Sequence, residues 1–204
     1  MGSVMVLSKI ILDLDDTNAR RDLSNPYQMH ATLMRLVDAG SSRPLWRLET
    51  PRDGSAPYIL VQTDIEPDPA QLRSRGTPYF TSFDSQPHRL LDDIRAGEPL
   101  RFRVRANPTV TRAGKRHGLV REDEQLAWIE RALGTRGARQ VMSIVRESSR
   151  HTLRRRQGDA PIVLHGATFD GILQVEDAAA IRTAVRDGIG HAKGFGFGLL
   201  TVAR

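Results

Sequence analysis

The chain contains no cysteine among its 204 residues. That excludes a disulfide framework, a thiolate zinc site and a cysteine nucleophile, and it fits a reducing compartment. Histidine is sparse and scattered. His30, His88, His117, His151, His165 and His191 never fall at the HxxxH or HxxEH spacing that puts two ligands on one helix face. No local metal site is legible, and no metal or other cofactor is expected. No apolar run approaches the roughly 20 residues that span a bilayer. The start lacks a charged stretch followed by an apolar one, as a secretory signal would have. The expectation is a soluble, cytoplasmic protein with no membrane partner. Met1-Gly2-Ser3-Val4 reads as an appended leader before a natural start at Met5.

What is present is arginine and enough apolar residues for a core. Thirty Lys and Arg face 24 Asp and Glu, a net charge of +6. Most of the excess is arginine, whose planar guanidinium matches phosphate. Nucleic acid is a better candidate partner than a lipid surface, because no basic amphipathic helix is found. With 39% hydrophobic residues the chain can bury one large core or two small ones, domains commonly running to roughly 100–150 residues.

Val6 to Leu14 reads as a strand closed by Asp15-Asp16-Thr17-Asn18. A helix follows, with Asn25 as N-cap, Pro26 at its first position, and Met29, Leu33, Leu36 and Val37 as a core-facing stripe ending at Gly40. Strands are expected at Pro44–Leu48 and Tyr58–Thr63, joined by Arg52-Asp53-Gly54-Ser55. A proline-rich irregular stretch and a weak helix around His88–Arg95 lead to Leu100–Arg105. There Leu100, Phe102 and Val104 alternate with Arg101, Arg103 and Arg105. The order is βαββαβ. It recurs after Asn107-Pro108: a basic segment with Arg112, Lys115 and Arg116, a helix over Glu122–Leu133, and strands at Gln140–Val145, Ile162–His165 and Thr168–Val175. A helix between Asp177 and Gly188 and a strand at Leu199–Val202 close the chain. The expected class is α+β with two tandem ferredoxin-like, RRM-like βαββαβ domains, 5–106 and 107–204.

Three segments carry candidate chemistry. On its helix His30 sits at the shoulder of the apolar stripe, with Tyr27 one turn earlier. Both lie in the first two turns, where free amides and the helix dipole favour a bound phosphate and a neutral imidazole. Spacing alone favours a packed boundary histidine over a general base. Arg101, Arg103 and Arg105 would put three cations on one sheet face, and Arg150 with Arg154, Arg155 and Arg156 would form a basic hairpin. A solvated charged face is the commoner explanation for either. The C-terminal run from Gly188 to Gly198, with Gly190, Lys193 and Gly196, is either a phosphate-approaching backbone or a glycine-rich helix-to-strand turn. At the other end, Asp13-Leu14-Asp15-Asp16-Thr17 matches the opening of haloacid dehalogenase-like, magnesium-dependent phosphatases, with Asp13 as nucleophile. The later acidic pair of that class is missing.

Read together, the segments resemble the CasE family, the type I-E member of the repeat-associated RNA-binding superfamily, from Met5 to the end. Asp22-Leu23 with Tyr27-Gln28-Met29-His30 looks like its catalytic helix. Arg101–Pro108 resembles its interdomain strand, Gln125–Ile129 its second-domain helix, and Gly188-Ile189-Gly190 with Gly196-Phe197-Gly198-Leu199-Leu200 its glycine-rich ending. An aromatic usually stands where this chain has Val6. The resemblance implies tandem ferredoxin-like domains, a catalytic His30 assisted by Tyr27, and Arg35 where a relative carries a lysine near the scissile phosphate. On a helical wheel Arg35 points well away from His30. The implied substrate is the stem-loop of CRISPR repeat RNA, with the arginine-rich hairpin entering or flanking its groove. The enzyme would keep the mature guide RNA and join the other Cascade subunits. With no metal site, the nucleophile would be the RNA's own 2'-hydroxyl, giving a 2',3'-cyclic phosphate and a 5'-hydroxyl. A non-catalytic RNA-binding subunit of the same superfamily is the alternative.

Overall fold

The structure, a computed structural model, describes residues 5–37, 41–51, 53–72, 78–154 and 158–204. The chain divides into two units. One runs up to His88 and includes Gly194–Gly196; the other comprises Arg89–Lys193 and Phe197–Arg204.

In the first unit β1 (Val6–Leu12) buries Val6, Ser8, Ile10 and Leu12, the period of two expected of a half-buried strand. Asp16 then caps helix α1 (Thr17–Ser24), its carboxylate accepting from the Ala19 amide at 2.8 Å. Asn25 ends α1 and caps α2 (Pro26–Leu33), accepting from the Tyr27 amide at 3.0 Å. The expected helix start is therefore found. The helix gives way at Leu33 to a 3-10 turn, Met34–Leu36, and Val37 is already extended; Gly40 lies outside the described residues. Met29, Leu33 and Leu36 pack with Ile10, Leu12, Ile59 and Val61. β2 (Leu45–Glu49), β3 (Tyr58–Thr63) and β4 (Phe80–Pro87) complete an antiparallel sheet of order β2-β3-β1-β4. A 3-10 turn, Pro69–Leu72, precedes β4.

The sequence reading missed α1 and β4, and each lacks an apolar pattern for a physical reason. α1 buries only Ala19 and Asp22, so its docking depends on a polar residue. β4 is an edge strand in which Phe80 and Phe83 are only partly buried among polar residues.

The second unit opens with a short helix α3 (Leu90–Asp93) and β5 (Pro99–Ala106). A hairpin follows, β6 (Thr109–Arg112) and β7 (Lys115–Gly118), turning through Ala113 and Gly114 at φ 47° and 73°. Then come α4 (Glu122–Gly134), β8 (Ala138–Leu153), β9 (Ile162–Val175), α5 (Ala178–Asp187) and β10 (Leu200–Ala203). The sheet order is β10-β5-β9-β8, again antiparallel throughout. Leu100, Phe102 and Val104 are buried, as are Ile129 and Leu133 of α4 and Ile181 and Val185 of α5.

Two expectations need correction. The boundary at 106/107 would separate β5 from the sheet in which it is an inner strand, bonded to β10 on one side and β9 on the other. α3 belongs with β5, because the Arg182 guanidinium of α5 donates to the Leu91 and Ile94 carbonyls. The chain divides after His88 instead. Secondly, the two strands expected within 162–175 are one strand. β8 and β9 stay paired beyond the end of the β5–β9 ladder at Ala106↔Ala167, from Ser149↔Gly166 to Leu153↔Ile162, five residue pairs in all. At roughly 3.3 Å per residue this free arm is about 16 Å long.

The phosphatase reading also fails. Asp16 is spent on the α1 cap, the Asp13 carboxylate accepts from the Asp15 amide at 2.9 Å, and every strand pairing described is antiparallel. Among the described residues no three His, Asp or Glu side chains gather as a metal-binding group, and no helix is long and apolar enough to cross a membrane.

Candidate active site

On the first unit the feature that stands apart from ordinary packing is the exposed side of α2 around His30. Asn25 and Pro26 fix the helix start, which sets Tyr27 and His30 one turn apart. Gly194–Gly196 lies against them. A Cβ on Gly194 would sit 3.5 Å from His30 Cδ2 and 3.6 Å from Nε2, so the backbone passes directly over one edge of the imidazole. The rings of Tyr27 and Phe195 meet edge to face, with centroids 4.7 Å apart and planes at 77°. Gly196 has φ +80°, and a Cβ there would come within 2.7 Å of the Trp46 ring. Only glycine allows this approach.

The imidazole is half-buried, and its Nδ1 is buried with no hydrogen-bond partner among the described residues. Burial pushes its pKa below the ordinary value, and the nearby positive charge of Arg43 pushes it further down. Both causes keep the ring neutral near pH 7, the state in which it can accept a proton. Among the described residues no carboxylate orients it. Arg43 is a site residue that the sequence reading missed; it stands in the irregular approach to β2, where no periodicity marks it.

Arg35 does not join this group. It lines a cavity of about 350 Å³ with Asn18, Arg21, Thr32, Leu72 and Tyr79. At that cavity the buried Asp22 carboxylate accepts from Thr32 Oγ1 at 2.6 Å and from Tyr79 Oη at 3.1 Å, and pairs with Arg21 at 2.7 Å.

On the second unit, the three arginines of β5 share a face but do not present three open cations. Arg101 donates to the Arg204 carbonyl. Arg103 makes a two-pronged pair with Asp170, at 2.6 and 2.7 Å, and Arg146 approaches the same carboxylate at 3.3 Å. Arg105 meets His151 Nε2 at 3.1 Å and stacks over Phe197 at 5.3 Å. Ser149 Oγ lies 2.8 Å from the same nitrogen. His151 is held below the ordinary histidine pKa by burial first and by Arg105 second.

Arg150 and Arg154 are exposed, Arg150 within the free arm of β8–β9 and Arg154 just beyond its end. Arg155 and Arg156 lie outside the described residues. The glycine-rich segment behaves mainly as a turn. Lys193 Nζ donates to the Asp187 carbonyl at the end of α5, and the Gly198 amide donates to the Arg105 carbonyl. Gly190 packs against the Trp128 ring.

These features define a basic α+β protein with two four-stranded antiparallel sheets, a neutral imidazole on one unit and an arginine-bearing arm on the other. The chain belongs to the family described as CRISPR associated protein, which matches residues 5–204. It is similar to the CRISPR-associated endoribonuclease Cse3 of Thermus thermophilus, at 35% identity over 98% of this chain and 100% of that one. It is also similar to the CRISPR system Cascade subunit CasE of Escherichia coli, at 29% identity over 98% and 99%. A solved structure of Thermus thermophilus Cse3 bound to an RNA representing a pre-cleavage complex superposes with a TM-score of 0.88 at 35% identity, covering 98% of this chain and 100% of that chain.

Proposed function

We propose that the chain is a CRISPR endoribonuclease of the CasE type that cuts precursor RNA at the repeat stem-loop and keeps the mature guide RNA within Cascade. Full-length similarity to a protein named as an endoribonuclease supports the activity, and similarity to a named Cascade subunit supports the assembly. Each sheet carries local strand order 4-1-3-2, with helices joining the first strand to the second. That order supports two ferredoxin-like domains in tandem, the first running to His88.

The observation that carries the mechanism is the neutral, half-buried imidazole of His30 beside Tyr27. In this reading the ring takes the proton of the 2'-hydroxyl upstream of the cut, and the oxygen attacks the adjacent phosphate. The bond to the 5'-oxygen breaks, leaving a 2',3'-cyclic phosphate, and the departing oxygen takes a proton from water to give the 5'-hydroxyl while the imidazolium returns its own to solvent. Tyr27, steadied by Phe195, orients the backbone. Arg43, the cation whose charge already acts on the ring, supplies positive charge as negative charge builds on the phosphate; Arg35, at the separate cavity beside Asp22, takes no part in this step. Holding the hydroxyl in line with its leaving group accounts for much of the rate. Arg150 and Arg154 track phosphates of the stem, together with Arg105. Arg101, Arg103, Lys193, Gly190 and Gly196 act chiefly by shaping the second unit and the wall over α2.

The test is His30→Ala with the chain's own repeat hairpin. Cleavage should fall while hairpin binding stays close to wild type. Equal loss of both would mean a structural histidine, and binding by the wild-type chain without any turnover would return the non-catalytic alternative.

A further inference from the structure

A cavity of about 450 Å³ opens wholly within the second unit, where the β6–β7 hairpin, the C-terminal end of α4 and the turn after α5 meet. Its charge is one-sided. Arg116 of β7, Arg131 and Arg136 at the end of α4, and His191 of the turn line it, and no acidic side chain does. Among the described residues Arg116 and Arg131 make no ion pair, whereas their neighbours Arg112 and Arg121 are matched to Glu124 and Asp123. Arg136 is held in place by the Ala132 carbonyl and Thr135 Oγ1.

Placing cations at the end of α4 suits the helix dipole. That explains Arg131 but not its convergence with Arg116, which comes from a different element. Thr109 and Thr111 add hydroxyl groups to the wall.

The other side is aromatic. Trp128 lines the cavity half-buried, its indole stacked on Phe169 with centroids 6.2 Å apart. Gly190, at φ +80°, lets the turn pass so close that a Cβ would stand 3.3 Å from that ring. Beside it Ala192 occupies the left-handed region at φ 64°, uncommon for a residue with a side chain. The turn that presents His191 is thus held in a specific, costly conformation.

We propose that this cavity binds one unpaired nucleotide of the RNA, in the single strand flanking the stem, with its phosphate on Arg116 and Arg131 and its base or sugar against Trp128. The proposal rests on the nuclease reading for the identity of the RNA. Guanidinium groups, hydroxyls and an aromatic edge are the combination that holds single-stranded nucleic acid. The volume falls in the range of small-ligand pockets, roughly 300–1,000 Å³. It admits a single nucleotide and not a duplex, whose paired backbone cannot enter a cavity of this size. None of Arg116, Arg131, Arg136, Trp128 or His191 belongs to the cleavage site proposed above.

The experiment compares wild-type chain with the exposed double variant Arg116→Ala/Arg131→Ala in equilibrium binding at several salt concentrations. Three probes are used: a blunt repeat hairpin, the same hairpin with unpaired flanks, and an unpaired oligonucleotide of the flank sequence. The variant should bind the flanked hairpin and the oligonucleotide about tenfold more weakly. Its salt slope should be shallower by roughly 0.7 per lost phosphate contact. The blunt hairpin should bind both proteins alike. Equal binding of the flanked probes by both proteins overturns the proposal, as does an equal loss on all three probes. Displacement by an acidic peptide and not by the oligonucleotide overturns it in favour of a protein partner. If wild-type chain binds neither hairpin, the nuclease reading falls, and the oligonucleotide arm still decides whether the cavity takes RNA.

Discussion

The Tyr79 hydroxyl, on a residue with only 1% of its surface exposed, donates to the Asp22 carboxylate at 3.1 Å, joining residues 57 positions apart. Asp22 also accepts from Thr32 of α2, so one buried carboxylate ties α1, α2 and the approach to β4 together. Burial, and then the neighbouring carboxylate, push the tyrosine pKa far up, so it stays a donor at all working pH values.

Tyr79→Phe should therefore cost about 1.5–3 kcal/mol, the worth of a hydrogen bond to a charged group. Asp22→Ala should cost more, because it orphans two buried hydroxyls at about 1–3 kcal/mol each. Urea unfolding of both variants checks the order. A smaller loss in Asp22→Ala than in Tyr79→Phe would contradict it.

His30 should titrate below its ordinary pKa of 6.5. Because the folded value is the lower one, the unfolded chain binds more protons between that value and 6.5. This group's contribution to stability is thus complete above about 6.5 and declines as pH falls toward the folded pKa. Cleavage by the neutral ring should rise with pH through the folded pKa, which lies below 6.5, and then level off. Nitrogen-detected NMR of the histidine ring gives the midpoint, and single-turnover rates give the limb. His30→Ala should lower the rate about 10²- to 10⁴-fold.

The two glycines that face α2 and β2 should respond differently. An alanine at Gly196 must adopt φ +80° and displace the Trp46 ring from 2.7 Å, so Gly196→Ala should lower stability by about 1–3 kcal/mol. An alanine at Gly194 meets His30 at an ordinary contact distance, 3.5–3.6 Å. Gly194→Ala should fold normally yet slow cleavage by crowding Nε2. Thermal melts and cleavage rates on the two variants separate these effects.

Asp170 neutralises part of the arginine face, holding Arg103 and drawing Arg146 to 3.3 Å. Asp170→Asn should release both cations and tighten hairpin binding a few-fold at low salt. The gain should fade as salt rises, because exposed charges are screened. Unchanged affinity would mean that this face does not meet RNA.

Much of this was legible in the sequence, and the failures have physical causes. Asn25-Pro26 announced α2 because a cap and a fixed φ are local chemistry, and Leu100–Arg105 announced a half-buried strand because alternation follows burial. The same alternation could not say which sheet β5 joins, since its partners β9 and β10 lie far along the chain. β4 was invisible for lack of a buried face. His30 could be picked out but not judged, because what surrounds it, Gly194, Phe195 and Arg43, comes from distant segments. The arginines of β5 were read as open cations, and only the register opposite β9 reveals Asp170 across from Arg103.

Attack by the RNA's own 2'-hydroxyl is tested by mapping product ends from the repeat hairpin in EDTA, with and without a 2'-deoxy substitution upstream of the cut. The all-ribose hairpin should be cut without metal, with a cyclic phosphate on the upstream fragment and a 5'-hydroxyl on the downstream one, and the deoxy substrate should not be cut. Cleavage of the deoxy substrate, or a strict requirement for a divalent ion, would contradict it.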